Sequence, residues 1–239
     1  MNVVARSCKP RFSPLGTWST VPVTEVQAFL RRAFRRWGRP LRIRVDNGVP
    51  WGSSGDLPTD LALWLLGLGV ETVLNPPRTP QNNGVVERSQ GTGKRWAEPW
   101  TCATAEELEQ RLRIADHIQR EEYPSISGSS RAAAYPDLHH SGRDYSRAWE
   151  RTHWSLERVL AHLADYAVRR KVDKGGTVSL YNKHHYAGKI HASKIIYVTI
   201  DPLRQQWIFT DDNDNQLRCD AADQLSRKRI ETLTVTERR

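Results

Sequence analysis

The chain has 239 residues, with 36 Lys and Arg against 27 Asp and Glu (formal charge +9), a hydrophobic fraction of 38% and nine Trp, so a real core is available for one large domain or two modest ones. The apolar run LALWLLGLGV is ten residues long, short of the roughly 18 that a membrane span needs, and residues 1–20 lack the apolar stretch and small-residue cleavage site of a signal peptide. Three scattered cysteines, Cys8, Cys102 and Cys219, offer neither a disulfide framework nor a C-x-x-C metal knuckle, which makes a reducing cytoplasm the expected location.

Charge is concentrated at the front. Residues 1–45 hold ten Lys or Arg and one acid, Glu25, whereas residues 46–239 balance 26 basic against 26 acidic residues. Such asymmetry suggests contact with a polyanion, most simply nucleic acid, although a solvated helix face in FLRRAFRRWGRP accounts for the same residues. RFSPLGTW, 11–18, reads as a strand or strand edge weakened by Pro14 and Gly16. Thr24 is a candidate N-cap for the helix EVQAFLRRAFRRWG, in which Val26, Phe29, Leu30, Ala33, Phe34 and Trp37 keep helical spacing until Gly38 and Pro40 stop it.

LRIRV, 41–45, alternates as a short strand and ends in Asp46-Asn47-Gly48. A Gly/Ser/Pro loop follows, then the apolar helix TDLALWLLGLG, the strand VETVL, a proline-rich loop, and a helix that starts near Gly84 or Val85. This alternation predicts an α/β fold with strands side by side in one sheet. CATAEELEQRLRIADHIQREEYP is a further amphipathic helix with Leu108, Leu112, Ala115 and Ile118 on one stripe. Residues 124–150 lack periodicity and read as a linker lying over a surface. Ser155 caps LERVLAHLADYAVRR, whose stripe is Leu156, Val159, Leu160, Leu163 and Ala167. From Lys171 short β-type runs separated by Gly, Asp and Asn turns predict a small all-β barrel. The expected organisation is 1–123 as an α/β core, 124–170 as a linker with a helix, 171–228 as a β-barrel and 229–239 as a charged tail.

Two carboxylates stand out. Asp46 directly follows an inferred buried strand, where open α/β sheets place their sites, and Glu87 opens a helix just after the loop NPPRTPQNNG. Taken singly, each has a plain explanation: Asp-Asn-Gly is turn material, and an acid in a first helical turn is favoured by the helix dipole.

Together, IRVDNG and PRTPQNNGVVERSQGTGKRW resemble the second and third blocks of the DDE transposase and retroviral-type integrase core, with bacterial insertion-sequence transposases as the nearest kin. The resemblance implies an RNase H-like fold in which three carboxylates hold two Mg²⁺ (or Mn²⁺) ions for DNA cleavage and strand transfer. Asp46 matches the family's second acid and Glu87 its Glu, so both become catalytic and metal-binding candidates. The spacing between them is longer than usual, and the surplus falls in VPWGSSGDLP. The resemblance further implies DNA contacts at Lys94, which shares the helix face of Glu87, and at Gln81, Asn83, Arg88 and Arg95. Its implied partners are transposon-end and target DNA and further copies of the chain, with no membrane. It extends through SGSSRAAAYPDL and HWSLERVLAHLADY, and it likens the β-rich end to the small SH3-like barrel that follows such cores.

The family's first acid, an Asp on the first strand, is not found: no Asp precedes Asp46. The expectation is therefore an N-terminally truncated core, inactive or weak alone because positioning and charge stabilisation supply nearly all of such catalysis. The alternative is a non-catalytic DNA-binding or transposase-pairing regulator of transposition.

Other candidates are weaker. His184 and His185, adjacent on a strand, point to opposite faces and make a poor zinc pair, and His139-His140 and His191 add no ligand spacing. Lys183, Lys189, Lys194, Tyr181 and Tyr186 form either a basic-aromatic DNA face or ordinary barrel surface. Gly91-Thr92-Gly93 lacks the Gly-Lys-Ser/Thr ending of a nucleotide-binding loop.

Overall fold

Helical and strand periodicities alternate through the first third of the chain and produce two parallel strands flanked by helices. The computed structural model describes residues 22–52, 56–75, 84–136 and 140–233. The strand expected at 11–18, the basic residues before Pro22 and residues 234–239 of the charged tail lie outside them.

Helix α1 (Val23–Trp37) buries Val26, Gln27, Leu30 and Phe34 along one stripe. It begins earlier than the sequence suggests. Pro22 occupies the cap without a side-chain bond, so Thr24 is already helical rather than the cap; the fixed φ of proline suits a helix entry. Strand β1 (Arg42–Val45) alternates exposed Arg42 and Arg44 with buried Ile43 and Val45. Helix α2 (Asp60–Gly67) starts at Thr59, whose hydroxyl accepts the Ala62 N–H, and is buried on nearly every side, as an all-apolar helix must be. Gly67 is obligatory there, because the Trp154 indole fills the space a Cβ would take. Strand β2 (Glu71–Leu74) pairs parallel with β1, Arg42 opposite Glu71 and Val45 opposite Leu74.

Helices α3 (Gly84–Ala97) and α4 (Ala105–His117) pack on one another. Buried Ser89, Gly93 and Ala97 form a small-residue stripe at four-residue spacing, and the Ser89 hydroxyl donates to Gln119 Oε1 at 2.8 Å in the π-turn Ile118–Glu122. Of the stripe expected on α4, Ala115 is buried while Leu108, Leu112 and Ile118 are half-buried.

The segment read as a surface linker contains helix α5 (Arg131–Ala134) and most of α6 (Arg147–His153). It also drives Tyr145 and Glu150 into the interior, because Glu150 meets cationic and hydroxyl partners there. Helix α7 (Leu156–Ala164) is capped by Ser155 and buries Val159, Leu160 and Leu163. Ala167 is exposed, since the helix stops at Ala164 and Val168 begins strand β3 (Val168–Lys171).

The remaining strands are β4 (Thr177–Leu180), β5 (Lys183–Tyr186), β6 (Ile195–Asp201), β7 (Gln206–Thr210) and β8 (Gln216–Ala221), followed by α8 (Arg227–Glu231). Strands β3, β6, β7 and β8 form an antiparallel sheet in that order, and β4–β5 is a separate hairpin. The expected barrel does not close among the described residues. Gly176, at φ +84, extends the β4–β5 hairpin by accepting from Ala187 N and Gly188 N, and the 3₁₀ turn Lys189–His191 follows it. Side chains bridge the gap instead: His185 to Asp220 at 2.7 Å and Lys183 to Asp223 at 2.8 Å.

One hydrophobic core runs from Val26 on α1 to Leu233 after α8. Helix α7 lies against both α2 and β6, and α8 against α2. Polar ties reinforce the junction: Tyr181 OH donates to Pro58 O, and Gln27 Nε2 to Glu231 O. The fold is mixed α/β, and none of its helices among the described residues is long and apolar enough to cross a membrane.

Candidate functional site

Asp46 stands at the carboxyl end of β1, exposed to solvent. Its Oδ1 accepts the Gly48 N–H at 3.3 Å, an Asx-type turn that folds the chain away from the strand. Asn47 Nδ2 donates to Asn75 O, and Asn75 N to Val45 O, so the carboxyl ends of the two parallel strands are stitched together beneath Asp46. The sequence reading of Asp46 as a strand-end carboxylate agrees with this placement.

Glu87 lies in the first turn of α3, with Lys94 and Arg95 in the last. At 100° per residue Glu87 and Lys94 share one face, about 10.5 Å apart along the axis, and Arg88 and Arg95 share the next. All four are exposed, on the side of α3 away from the Ser89–Gly93–Ala97 stripe that packs on α4. Gln81 and Asn83 lie outside the described residues. The helix thus groups Glu87 with Lys94 and Arg88 with Arg95, while Asp46 belongs to the strand end. Among the described residues no group of three or more His, Cys, Asp or Glu is arranged to hold a metal ion. For a hard cation such as Mg²⁺, the oxygen donors of Asp46 and Glu87 are of the right chemical type.

The other sequence candidates resolve into structural roles. His185 is fully buried, its Nδ1 paired with Asp220 and its Nε2 accepting from Gln224 Nε2 at 3.1 Å, whereas His184 is exposed. Burial is the largest single influence and favours the protonated Asp220 carboxyl, but the bond and charge of His185, the Ala221 N–H and Lys183 together outweigh it and hold the group below its ordinary value. Of the basic-aromatic set, Lys183 is engaged by Asp223 and Tyr181 is buried; Tyr186, Lys189 and Lys194 remain exposed.

Sequence reasoning missed two polar clusters. The first surrounds Glu150, which is 1% exposed. Its Oε1 accepts from Arg31 Nη2 at 2.7 Å and Trp64 Nε1 at 3.0 Å, and its Oε2 from Arg31 Nε, Arg147 Nη1 and the Tyr145 hydroxyl. Burial pushes this carboxyl up, yet the bonds from Arg31, Tyr145, Trp64 and Arg147 prevail and hold it at about 2. Tyr145 is pushed up to about 12 by burial and by donating to Glu150.

The second cluster caps α2, which has no basic residue in its last turn; backbone N–H groups of Leu68, Gly69 and Val70 satisfy the carbonyls of Trp64, Leu65 and Leu66, and arginines reach those that follow. Arg158 bonds Gly67 O at 2.9 Å, Arg39 bonds Leu68 O at 2.7 Å and Arg143 bonds Gly69 O at 2.8 Å. Arg39 also lies 3.5 Å above the Trp149 ring. Burial lowers its guanidinium to about 10, with repulsion from Arg143 and Arg158 adding to the effect. No signal of spacing links residues 39, 67–69, 143 and 158 in sequence; only the unclosed apolar end of α2 hinted that donors must come from elsewhere. No family model matches the chain.

Proposed function

We propose that the chain is a DDE transposase or integrase-type core with an RNase H-like arrangement of its α/β part, acting on DNA. The carrying observation is Asp46 at the carboxyl end of a parallel strand pair together with Glu87 and Lys94 on one exposed face of α3. Under this reading β1 and β2 are neighbouring strands of that core. The strands from Val168 to Ala221 correspond to the small β module that follows it.

Asp46 and Glu87 would hold divalent cations, which when bound clamp the attacking and leaving oxygens of a phosphodiester. The stitched strand ends keep Asp46 in a fixed position, and Glu87 stands in the first turn of α3. Lys94 neutralises a DNA phosphate beside Glu87, and Arg88 and Arg95 extend the cationic surface around the helix. Residues 1–45 contain no Asp, and this reading assigns the family's third carboxylate to no residue of the sequence.

Mn²⁺ binding followed by electron paramagnetic resonance tests the ligand assignment. Asp46→Asn and Glu87→Gln each weaken binding by roughly tenfold or more, a range that even supporting residues of metal sites reach. Parent-like binding by both folded variants refutes the assignment. A second reading, a non-catalytic DNA-binding or transposase-pairing regulator, is favoured by Arg42 and Arg44 standing exposed on β1. It predicts duplex binding that is indifferent to Mn²⁺ and to both substitutions.

A further inference from the structure

Strand β1 presents Arg42 and Arg44 on its exposed face. That face floors a broad, open cleft of ≈ 940 Å³. Its walls come from distant parts of the chain: Arg39 before β1, Leu66 to Val73 through the end of α2 and β2, and His140, Arg143, Arg158 and His162. Five guanidiniums line it against one carboxylate, Glu71.

The cations are incompletely neutralised: Glu71 pairs with Arg42, and Asp144 is the carboxylate that acts on Arg39. Arg39, Arg143 and Arg158 spend their bonds on neutral backbone carbonyls, which fixes their positions without cancelling their charge. Arg42 does meet Glu71 at 2.7 Å, but both side chains are at least half exposed, and such surface pairs are worth only about 0–1 kcal/mol. A phosphate can therefore replace Glu71 at little cost. Burial and mutual repulsion already depress the affinity of Arg39 and Arg143 for their protons, and an anion in the cleft relieves that repulsion.

Shape and direction narrow the occupant. The cleft is too wide and open to enclose a single small anion. Arg42 and Arg44 stand about 6.6 Å apart along the strand, and the same alternation leads two residues further to Asp46. We propose that this cleft seats the phosphodiester backbone of duplex DNA and lays it along β1 toward Asp46. The choice of DNA rests on the transposase reading above, whereas the cleft itself does not require metal, Asp46 or Glu87.

Binding of a fluorescein-labelled duplex to the full chain, measured by anisotropy in EDTA across a salt series, tests the proposal apart from the chemistry. Arg42→Ala/Arg44→Ala spares the arginines that cap α2. It should lower affinity roughly a hundredfold or more at low salt, as expected for losing two charge-assisted bonds, and reduce the slope of log affinity against log salt by about two. Arg113→Ala and Arg204→Ala, exposed arginines elsewhere, should leave both unchanged. Circular dichroism and the thermal transition verify that the double variant folds.

A folded double variant with parent-like affinity and slope overturns the proposal. So does displacement of the duplex by millimolar inorganic phosphate at constant ionic strength, which marks a small-anion site, or by polyglutamate as readily as by unlabelled duplex. Failure of the metal-ligand assignment leaves these measurements intact, because they are made without metal. Failure of the cleft leaves the Mn²⁺ measurements intact.

Discussion

Glu150 joins more of the molecule than any residue that the sequence singled out. Its carboxylate collects donors from α1, α2, the segment before α6 and α6 itself, and its backbone carbonyl accepts from Arg227 on α8. A buried charge of this kind is costly to leave half-made. Glu150→Ala strands Arg31, and stability to urea should fall by about 3–5 kcal/mol. The same group confers acid sensitivity. Its folded carboxyl sits at about 2, below the ordinary 4.5. The associated stabilisation is therefore fully present above pH 4.5 and is lost as pH falls from 4.5 toward 2. At about 1.4 kcal/mol per tenfold change in proton affinity this amounts to on the order of 3 kcal/mol. Urea midpoints measured from pH 6 to pH 3 should fall for the parent chain and change less for Glu150→Ala. The network was not legible because Glu150 lies in a stretch without periodicity, and its partners are up to 119 residues away.

At the scale of elements, α2 decides the architecture around the candidate site. Its sequence announced an apolar helix in TDLALWLLGLG. The pattern could not reveal what would satisfy its C-terminal carbonyls, and the answer is three arginines from three other segments. Removing one, as in Arg143→Ala, frees the carbonyls of Pro40 and Gly69 at a cost of roughly 1–3 kcal/mol, read as a lower urea midpoint with unchanged denaturant slope. The same helix also explains why strand pairing stays local. It packs under β2 and against α7 and α8, and so holds the β1–β2 pair with its Arg42–Arg44 face outward. In the strand-rich segment, alternation correctly announced β6 and β7, where Val198 and Ile200 face Phe209 and Trp207. Closure is a matter of which edges meet, and a hydropathy pattern carries no record of that.

For the whole molecule, continuity of the core matters most. Composition shifts at residues 124 and 171 suggested separable parts, yet buried side chains from α1, α2, α7, β6 and α8 form one cluster. Calorimetry should therefore record a single cooperative transition for residues 22–233, with calorimetric and van't Hoff enthalpies equal; two resolved transitions would contradict it. This continuity also bears on function, because Arg143 and Arg158 reach the β1 cleft only when the later segments dock on the earlier ones.

The sequence by itself determined the local elements, the strand-end setting of Asp46, the helical face shared by Glu87 and Lys94, and the forward bias of positive charge. Each of these follows from periodicity, capping and turn chemistry within a few residues. Tertiary structure alone decided the burial of Glu150, the arginine closure of α2, the open arrangement of the β strands and the cationic cleft along β1. Those features depend on side chains far apart in the chain meeting at one place, and hydrogen bonds and charge pairs formed across such distances leave no spacing for a sequence to display.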